Sequence, residues 1–264
     1  MPNPPPPPTK TPTAKSSPPT AFRKIATGPG PIKAVLYTVE GWGKTTAMAH
    51  APNPVVIMSP QESGFITLRR AGRVPDVPCT VCDTWTDVLT LLRQPLEFDT
   101  VCFDALGGFE QLAREHVLQR DFGGDITKYN SYGKGDVSLN AEWMTMLTAL
   151  ERISHERSVI LAGHAKTVRA KDPSTDDYDR WACDLSPKTW EPTKRWADAV
   201  LFGRFFTVVD EGKGKGGTER VVYTEHRDTH DAKNRFNMPA MVKIGNNPDR
   251  VYSEIFSNIN KESK

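Results

Sequence analysis

The stretch that most constrains the fold is Thr38-Val39-Glu40-Gly41-Trp42-Gly43-Lys44-Thr45-Thr46. An apolar run, Ile32 to Tyr37, precedes it, and an alanine-rich helical start, Thr45 to Ala51, follows. Strand, glycine loop, Gly-Lys-Thr and helix is the layout of a phosphate-binding P-loop. Gly41 and Gly43 can take the backbone angles that turn amides inward toward phosphate oxygens. Lys44 is placed to reach the β- and γ-phosphates, and the Thr45 hydroxyl to ligate Mg²⁺. Residues 40–46 (Glu40, Gly41, Trp42, Gly43, Lys44, Thr45 and Thr46) are the expected nucleotide-binding set. The full motif has glycine where this chain has Thr38.

The rest of the chain suits an α/β domain built on that loop. It has 264 residues, with 34 basic and 32 acidic side chains and a net charge of +2. That is enough chain for a real core, and no global basic field announces nucleic acid. No apolar run approaches the ~18 residues that suggest a membrane span, and no apolar signal region opens the chain. Cys79 and Cys82 form a lone CxxC without a second ligand pair at zinc spacing.

Residues 1–24 hold nine prolines among Thr, Ser and Lys. Proline lacks an N–H and fixes φ, so a disordered tail of polyproline II character is expected there. Residues 25–257 then read as one ATPase-type domain, and 258–264 as a polar tail. Val55–Ser59, Val77–Cys82, Thr100–Asp104 and Ser158–Gly163 are short strand-like runs. Helical patterns at Ser63–Ala71, Thr84–Arg93 and Leu106–Arg120 lie between them, and Leu139, Trp143, Leu147, Leu150 and Ile153 recur at helical spacing. A loop is expected over 121–137 and a long polar segment over 165–186. Ala199–Val209 and Arg220–Glu225 read as a C-terminal β-hairpin with a glycine-rich tip. Alternating β and α predicts three layers around a mostly parallel sheet.

Several residues at strand ends carry chemistry. Asp104 closes an apolar strand about sixty residues after the loop, where an acid would hold Mg²⁺ through water beside Thr45. Glu62 follows the VVIMS strand and can hold and polarise an attacking water; Glu40, inside the loop, is the alternative acid. His164 ends the SVILAG strand and can sense a γ-phosphate, or simply be a satisfied strand-end histidine. Lys233 and Arg235 flank one residue, so in extended chain they point the same way. They can supply charge to a phosphoryl-transfer site, most plausibly a neighbouring subunit's. Between Ala165 and Arg195, Lys166, Arg169, Lys171, Arg180, Lys188, Lys194 and Arg195 mix with Tyr178, Trp181 and Trp190, and Trp196 follows directly. That mixture suits single-stranded nucleic acid, while six nearby acids nearly cancel the charge.

Taken in order, YTVEGWGKTT, SPQESG, FDTVCFDAL, VILAGHAKTV and THDAKNRFNMP resemble the phage-type RecA-like P-loop ATPases, AAA-family proteins tied to recombination and single-strand annealing. The resemblance spans about residues 22–240. It implies an ASCE-type core, ATP and Mg²⁺ as cofactors, Glu62 as the water-activating acid and His164 as the γ-phosphate sensor. It further implies that Lys233 and Arg235 act across an interface in a ring or filament of identical chains. The segments after His164 and over 121–137 would then face single-stranded DNA. Single-strand-binding or recombination proteins become the expected partners, and the cytoplasm of a bacterial or phage-infected cell the expected location. A P-loop kinase, or a nucleotide-gated binding module with little turnover, is the alternative.

Overall fold

Successive residues of the first strand point to opposite sides of a sheet that is covered on both faces. The computed structural model describes residues 30–62, 64–171, 176–210 and 213–256. The two expected tails, 1–24 and 258–264, and residues 211–212 of the hairpin tip lie outside the described residues. In chain order the elements are β1 (Lys33–Thr38), α1 (Lys44–Ala49), β2 (Pro54–Met58), α2 (Gly64–Arg70), β3 (Cys79–Val81) and α3 (Trp85–Leu91). Then come β4 (Thr100–Asp104), α4 (Leu106–Phe122), α5 (Ile126–Asn130), α6 (Lys134–Ser154), β5 (Ser158–Ala170) and β6 (Tyr178–Cys183). The last are α7 (Pro187–Trp196), β7 (Ala199–Asp210), β8 (Lys213–Tyr223), β9 (Lys233–Asn234), β10 (Met241–Gly245) and α8 (Val251–Phe256).

The strand order is β10-β8-β7-β1-β5-β4-β2-β3. From β7 to β3 every pairing is parallel, and β8 and β10 extend the sheet in antiparallel fashion. This is the mostly parallel, three-layer P-loop NTPase architecture that the alternation of elements predicts. β5 lies between the P-loop strand β1 and the acid-bearing strand β4. Val35, Tyr37, Ile57 and Phe103 face a core closed by α3, α4, α6 and α7. Ala34, Leu36, Val56, Met58 and Cys102 face a second core closed by α1, α2 and α8. Burial on both faces is why these strands read as unbroken apolar runs.

Local signals account for several elements. Thr84 caps α3 through a capping box with Asp87, as its sequence position suggested. Leu139, Trp143, Leu147 and Leu150 line the buried face of α6. The expected loop at 121–137 is instead largely helical. Asp125 accepts from the amides of Thr127 and Lys128 to start α5, and Tyr129 is buried against Phe122. A single buried aromatic thus organises a segment whose composition reads as loop. The described parts of the polar segment at 165–186, residues 165–171 and 176–186, are likewise largely in strands. β5 runs on beyond the core to Ala170, and β6 returns beside it from Tyr178 to Cys183. α7 was not foreseen; Pro187 at its first turn and buried Thr189, Trp190 and Thr193 were its signals. Among the described residues, no helix is long and apolar enough to cross a membrane.

One buried side chain makes stability depend on pH. His230 packs between Phe202 and Tyr223, with ring centroids 5.2 and 4.8 Å away. Burial pushes its imidazole down to about 4, against roughly 6.5 in an unfolded chain. Between those values the unfolded chain binds the extra proton, so stability falls as pH drops through that window. The melting temperature should decline from about pH 6.5 to 4, and His230→Phe should flatten that part of the profile. An unchanged profile in His230→Phe would assign the acid sensitivity elsewhere.

Candidate functional site

The parallel strands bring their C-terminal ends to one edge of the sheet, where the loop of residues 38–46 sits. Gly41 and Gly43 have φ of +69° and +108°. A side chain at Gly43 would be strained, and its Cβ would lie 3.2 Å from that of Pro248. α1 begins at Lys44, and the Ala47 amide closes back on the Gly43 carbonyl at 2.9 Å. The amides of a helix's first turn have no partner within the helix and are left for a ligand. Thr38 takes the place of the motif's first glycine without conflict, because it pairs with Gly203 on β7. A Cβ at Gly203 would come within 2.8 Å of both the Thr38 methyl and the Trp42 ring. The absent side chain of Gly203 thus leaves the room that Thr38 and Trp42 occupy.

Three elements converge on the loop. Asp104, the last residue of β4, is 1% exposed. Its Oδ1 accepts from Lys44 Nζ at 3.0 Å, and its Oδ2 from the Thr45 hydroxyl at 2.7 Å. Glu62 lies in the turn after β2, where its amide donates to the Ser59 carbonyl. One Glu62 oxygen is 3.9 Å from Lys44 Nζ, and the other accepts from His164 Nε2 at 2.8 Å. His164 is on β5 directly opposite Thr38. The hydrogen bond from His164, and next the charge of Lys44, hold the Glu62 carboxyl below the usual range against the opposing effect of burial. Glu62 is therefore an anion at neutral pH, and His164 carries its proton on Nε2.

The cleft beside this cluster has a volume of about 300 Å³ and is bordered by the loop, His164, Arg73, Arg220 and Pro248. Its chemistry is suited to an anion with a hard cation. Lys44 and the loop amides attract phosphate, and a hydroxyl beside a carboxylate is the oxygen set that Mg²⁺ takes with water. Thr45 and Asp104, whose oxygens lie 2.7 Å apart, are the two side chains that fit that ion.

Not every expected residue joins the cluster. Glu40 is exposed at the rim of the loop. The Trp42 ring is fully buried and donates to the Arg204 carbonyl at 3.0 Å, so only its backbone belongs to the loop surface. Thr46 is buried beneath the loop. Lys233 and Arg235 lie at the opposite end of the sheet, where β9 pairs with the first residues of β7. Lys233 Nζ donates to the carbonyls of Lys194, Arg195 and Ala197, closing the end of α7. Arg235 pairs with Asp198 at 2.7 Å. Neither reaches the P-loop of its own chain.

The expected mixture of cations and aromatics also divides. Lys166, Arg169, Tyr178, Arg180 and Trp181 are on the β5–β6 hairpin, whereas Trp190 is buried in α7. Arg180 is tied to Asp231 at 2.7 Å, and Lys166 and Arg169 have looser exposed partners in Asp184 and Asp179.

Arg220 was missed. It comes from β8, and its guanidinium donates to the carbonyls of Trp42 in the loop and Asn246 after β10. Its partners are far away in the chain, so no local pattern marks it.

The model of the AAA-domain family matches residues 30–236. No curated protein matches the sequence. The family match covers most of the chain, and the chain belongs to the AAA-domain family: it carries an AAA-type P-loop ATPase domain.

Proposed function

We propose that this AAA-domain chain binds ATP with Mg²⁺, hydrolyses the γ-phosphate, and couples that hydrolysis to single-stranded DNA in recombination or annealing. The supporting observation is the placement of Glu62 between Lys44, 3.9 Å away, and His164, 2.8 Å away, beside the Lys44–Thr45–Asp104 cluster. An ionised carboxylate so held can orient a water and accept its proton. Bound Mg²⁺, held at Thr45 and through water at Asp104, would neutralise phosphate charge. Lys44 would then exchange part of its contact with Asp104 for phosphate oxygens.

The DNA reading rests on continuity. β5 carries His164 at the cleft and runs without a break into the hairpin that bears Lys166, Arg169 and Arg180. A change in the Glu62–His164 hydrogen bond is thereby made at the root of that hairpin. The exposed pairs Lys166–Asp184 and Arg169–Asp179 are weak, and phosphates can replace their acids at little cost. A ring or filament of identical chains would let Arg235, which is exposed and held by one ion pair, meet a neighbour's nucleotide. Single-strand-binding or recombination proteins in a bacterial or phage-infected cell complete the reading.

Fluorescence anisotropy of a labelled oligo-dT tests the DNA assignment. Mg²⁺ with a non-hydrolysable ATP analogue should tighten binding, and affinity should fall steeply with salt. No binding at low salt, or binding indifferent to nucleotide, would leave an ATPase without this substrate.

A further inference from the structure

Two irregularities in the sheet surround Arg220. On β8 it pairs with Phe205 of β7 on one side and Gly245 of β10 on the other. The register of β7 with β8 shifts directly after Phe205, and that of β10 with β8 shifts between Lys243 and Gly245. Gly245 has a φ of +79°, in the left-handed region that favours glycine. Bulges bend a strand and re-aim a side chain that regular pairing would hold square to the sheet. The Arg220 guanidinium lies 5.5 Å from the centre of the Phe205 ring and reaches the P-loop.

Peptide geometry gives that contact a consequence. Arg220 Nε donates to the Trp42 carbonyl, and a terminal nitrogen donates to the Asn246 carbonyl at 2.6 Å. In a trans peptide the carbonyl and the following N–H point in opposite directions. Holding the Trp42 carbonyl toward Arg220 therefore turns the Gly43 N–H away from it. Among the described residues nothing accepts from that N–H, which leaves it for a ligand in the cleft that Gly43 borders. Gly41 and Gly43 flank Trp42 with positive φ, so this peptide rotates easily unless something holds it. The indole bond to the Arg204 carbonyl fixes the Trp42 ring, not its carbonyl. A cation on the carbonyl also polarises the peptide and makes its N–H a better donor.

Arg220 is half-buried, and burial pulls its pKa down with no acid to offset the cost. It borders the cleft together with Lys44. An anion entering there compensates both cations.

We infer that Arg220 is a positioning residue for phosphate: by holding the Trp42 carbonyl it keeps the Gly43 amide aimed at the phosphates of a bound nucleotide, and through Asn246 it ties that amide to the turn between β10 and α8. This rests on the nucleotide-binding part of the function proposed above and not on DNA.

Calorimetry of the full-length chain with Mg²⁺–ADP and with Mg²⁺–pyrophosphate provides the test. Arg220→Met keeps the stem beside Phe205 and removes both donors. It should weaken the two probes by the same factor, about tenfold or more, as expected for losing a hydrogen bond to a charged group. Arg220→Lys returns a charged donor without the planar fork that spans two carbonyls, and should recover part of the loss. Thr224→Val controls for stability alone. It cuts the bond from the Thr224 hydroxyl to the Pro239 carbonyl, 2.7 Å long and just beyond β8, and should lower the melting temperature while leaving both affinities unchanged. Wild-type affinity in Arg220→Met, a loss confined to ADP, no recovery in Arg220→Lys, or an equal loss in Thr224→Val would each overturn the inference. A wild-type chain that binds neither probe would instead overturn the nucleotide reading on which it rests.

Discussion

Lys44→Ala should reduce nucleotide turnover to background while the protein still folds. Lys44 is the cation of the loop, and its ammonium touches both acids of the cluster, Asp104 at 3.0 Å and Glu62 at 3.9 Å. No apolar packing depends on it. Its removal does leave Asp104, 1% exposed, with the Thr45 hydroxyl but no cation. Stripping one partner from a buried pair costs about 3–5 kcal/mol, so the variant should melt earlier but still cooperatively. The thermal shift on adding ATP and Mg²⁺ should vanish as well. A ligand at a hundred times its Kd stabilises a protein by about 2.7 kcal/mol, and a protein that no longer binds loses that gain. A folded Lys44→Ala protein with unaltered turnover would sink the P-loop reading.

Glu62→Gln should bind ATP and Mg²⁺ as before and hydrolyse slowly. The amide oxygen can still accept from His164 Nε2, so the turn after β2 is expected to hold its shape. What is lost is the charge that accepts a proton from water. Removing a positioned general base typically costs on the order of 10²–10⁴ in rate. The measurement is single-turnover phosphate release alongside nucleotide affinity. If Glu40→Gln were the slow variant and Glu62→Gln normal, the water-activating acid would lie on the loop rather than after β2. The low-lying Glu62 carboxyl also fixes the sign of the pH response. The group is ionised at neutral pH, and the rate it supports is lost only as pH falls through its depressed value.

Much of this arrangement could be read from short stretches of sequence. Apolar runs ending on Thr38, Asp104 and His164 are strands buried on both faces, and parallel pairing brings their ends to one edge. Glu62 was legible because it follows such a run within a short turn. Arg220 was not, since its partners Trp42 and Asn246 are brought to it only by the antiparallel extension of the sheet. The stretch holding α5 reads as a loop, and that of the β5–β6 hairpin as a long polar segment, because their composition is polar. Each is organised by tertiary partners, Tyr129 against Phe122 in one case and the pairing of Ala165 with Cys183 onward in the other. Lys233 shows the converse error of emphasis. A K-x-R pattern suggests free cations, whereas three carbonyls at the end of α7 engage this one. Arg235 is therefore the cleaner position for testing action between subunits. Mixing Arg235→Ala with Lys44→Ala chains should restore part of the activity that each lacks, because some interfaces then join an intact loop to an intact arginine. Mixtures no more active than their components would confine Arg235 to its pairing with Asp198.

The central claim is that the Glu62–His164 pair links hydrolysis at the P-loop to single-stranded DNA. The most direct measurement is steady-state phosphate release from ATP and Mg²⁺ by the full-length chain, alone, with single-stranded DNA and with duplex DNA. The account predicts slow release alone, a rise of about tenfold or more with single strands, which corresponds to about 1.4 kcal/mol or more and so falls within the usual 1–3 kcal/mol of coupling, and little response to duplex. Release that is fast and indifferent to DNA, or release seen only with a small-molecule phosphate acceptor, would contradict it.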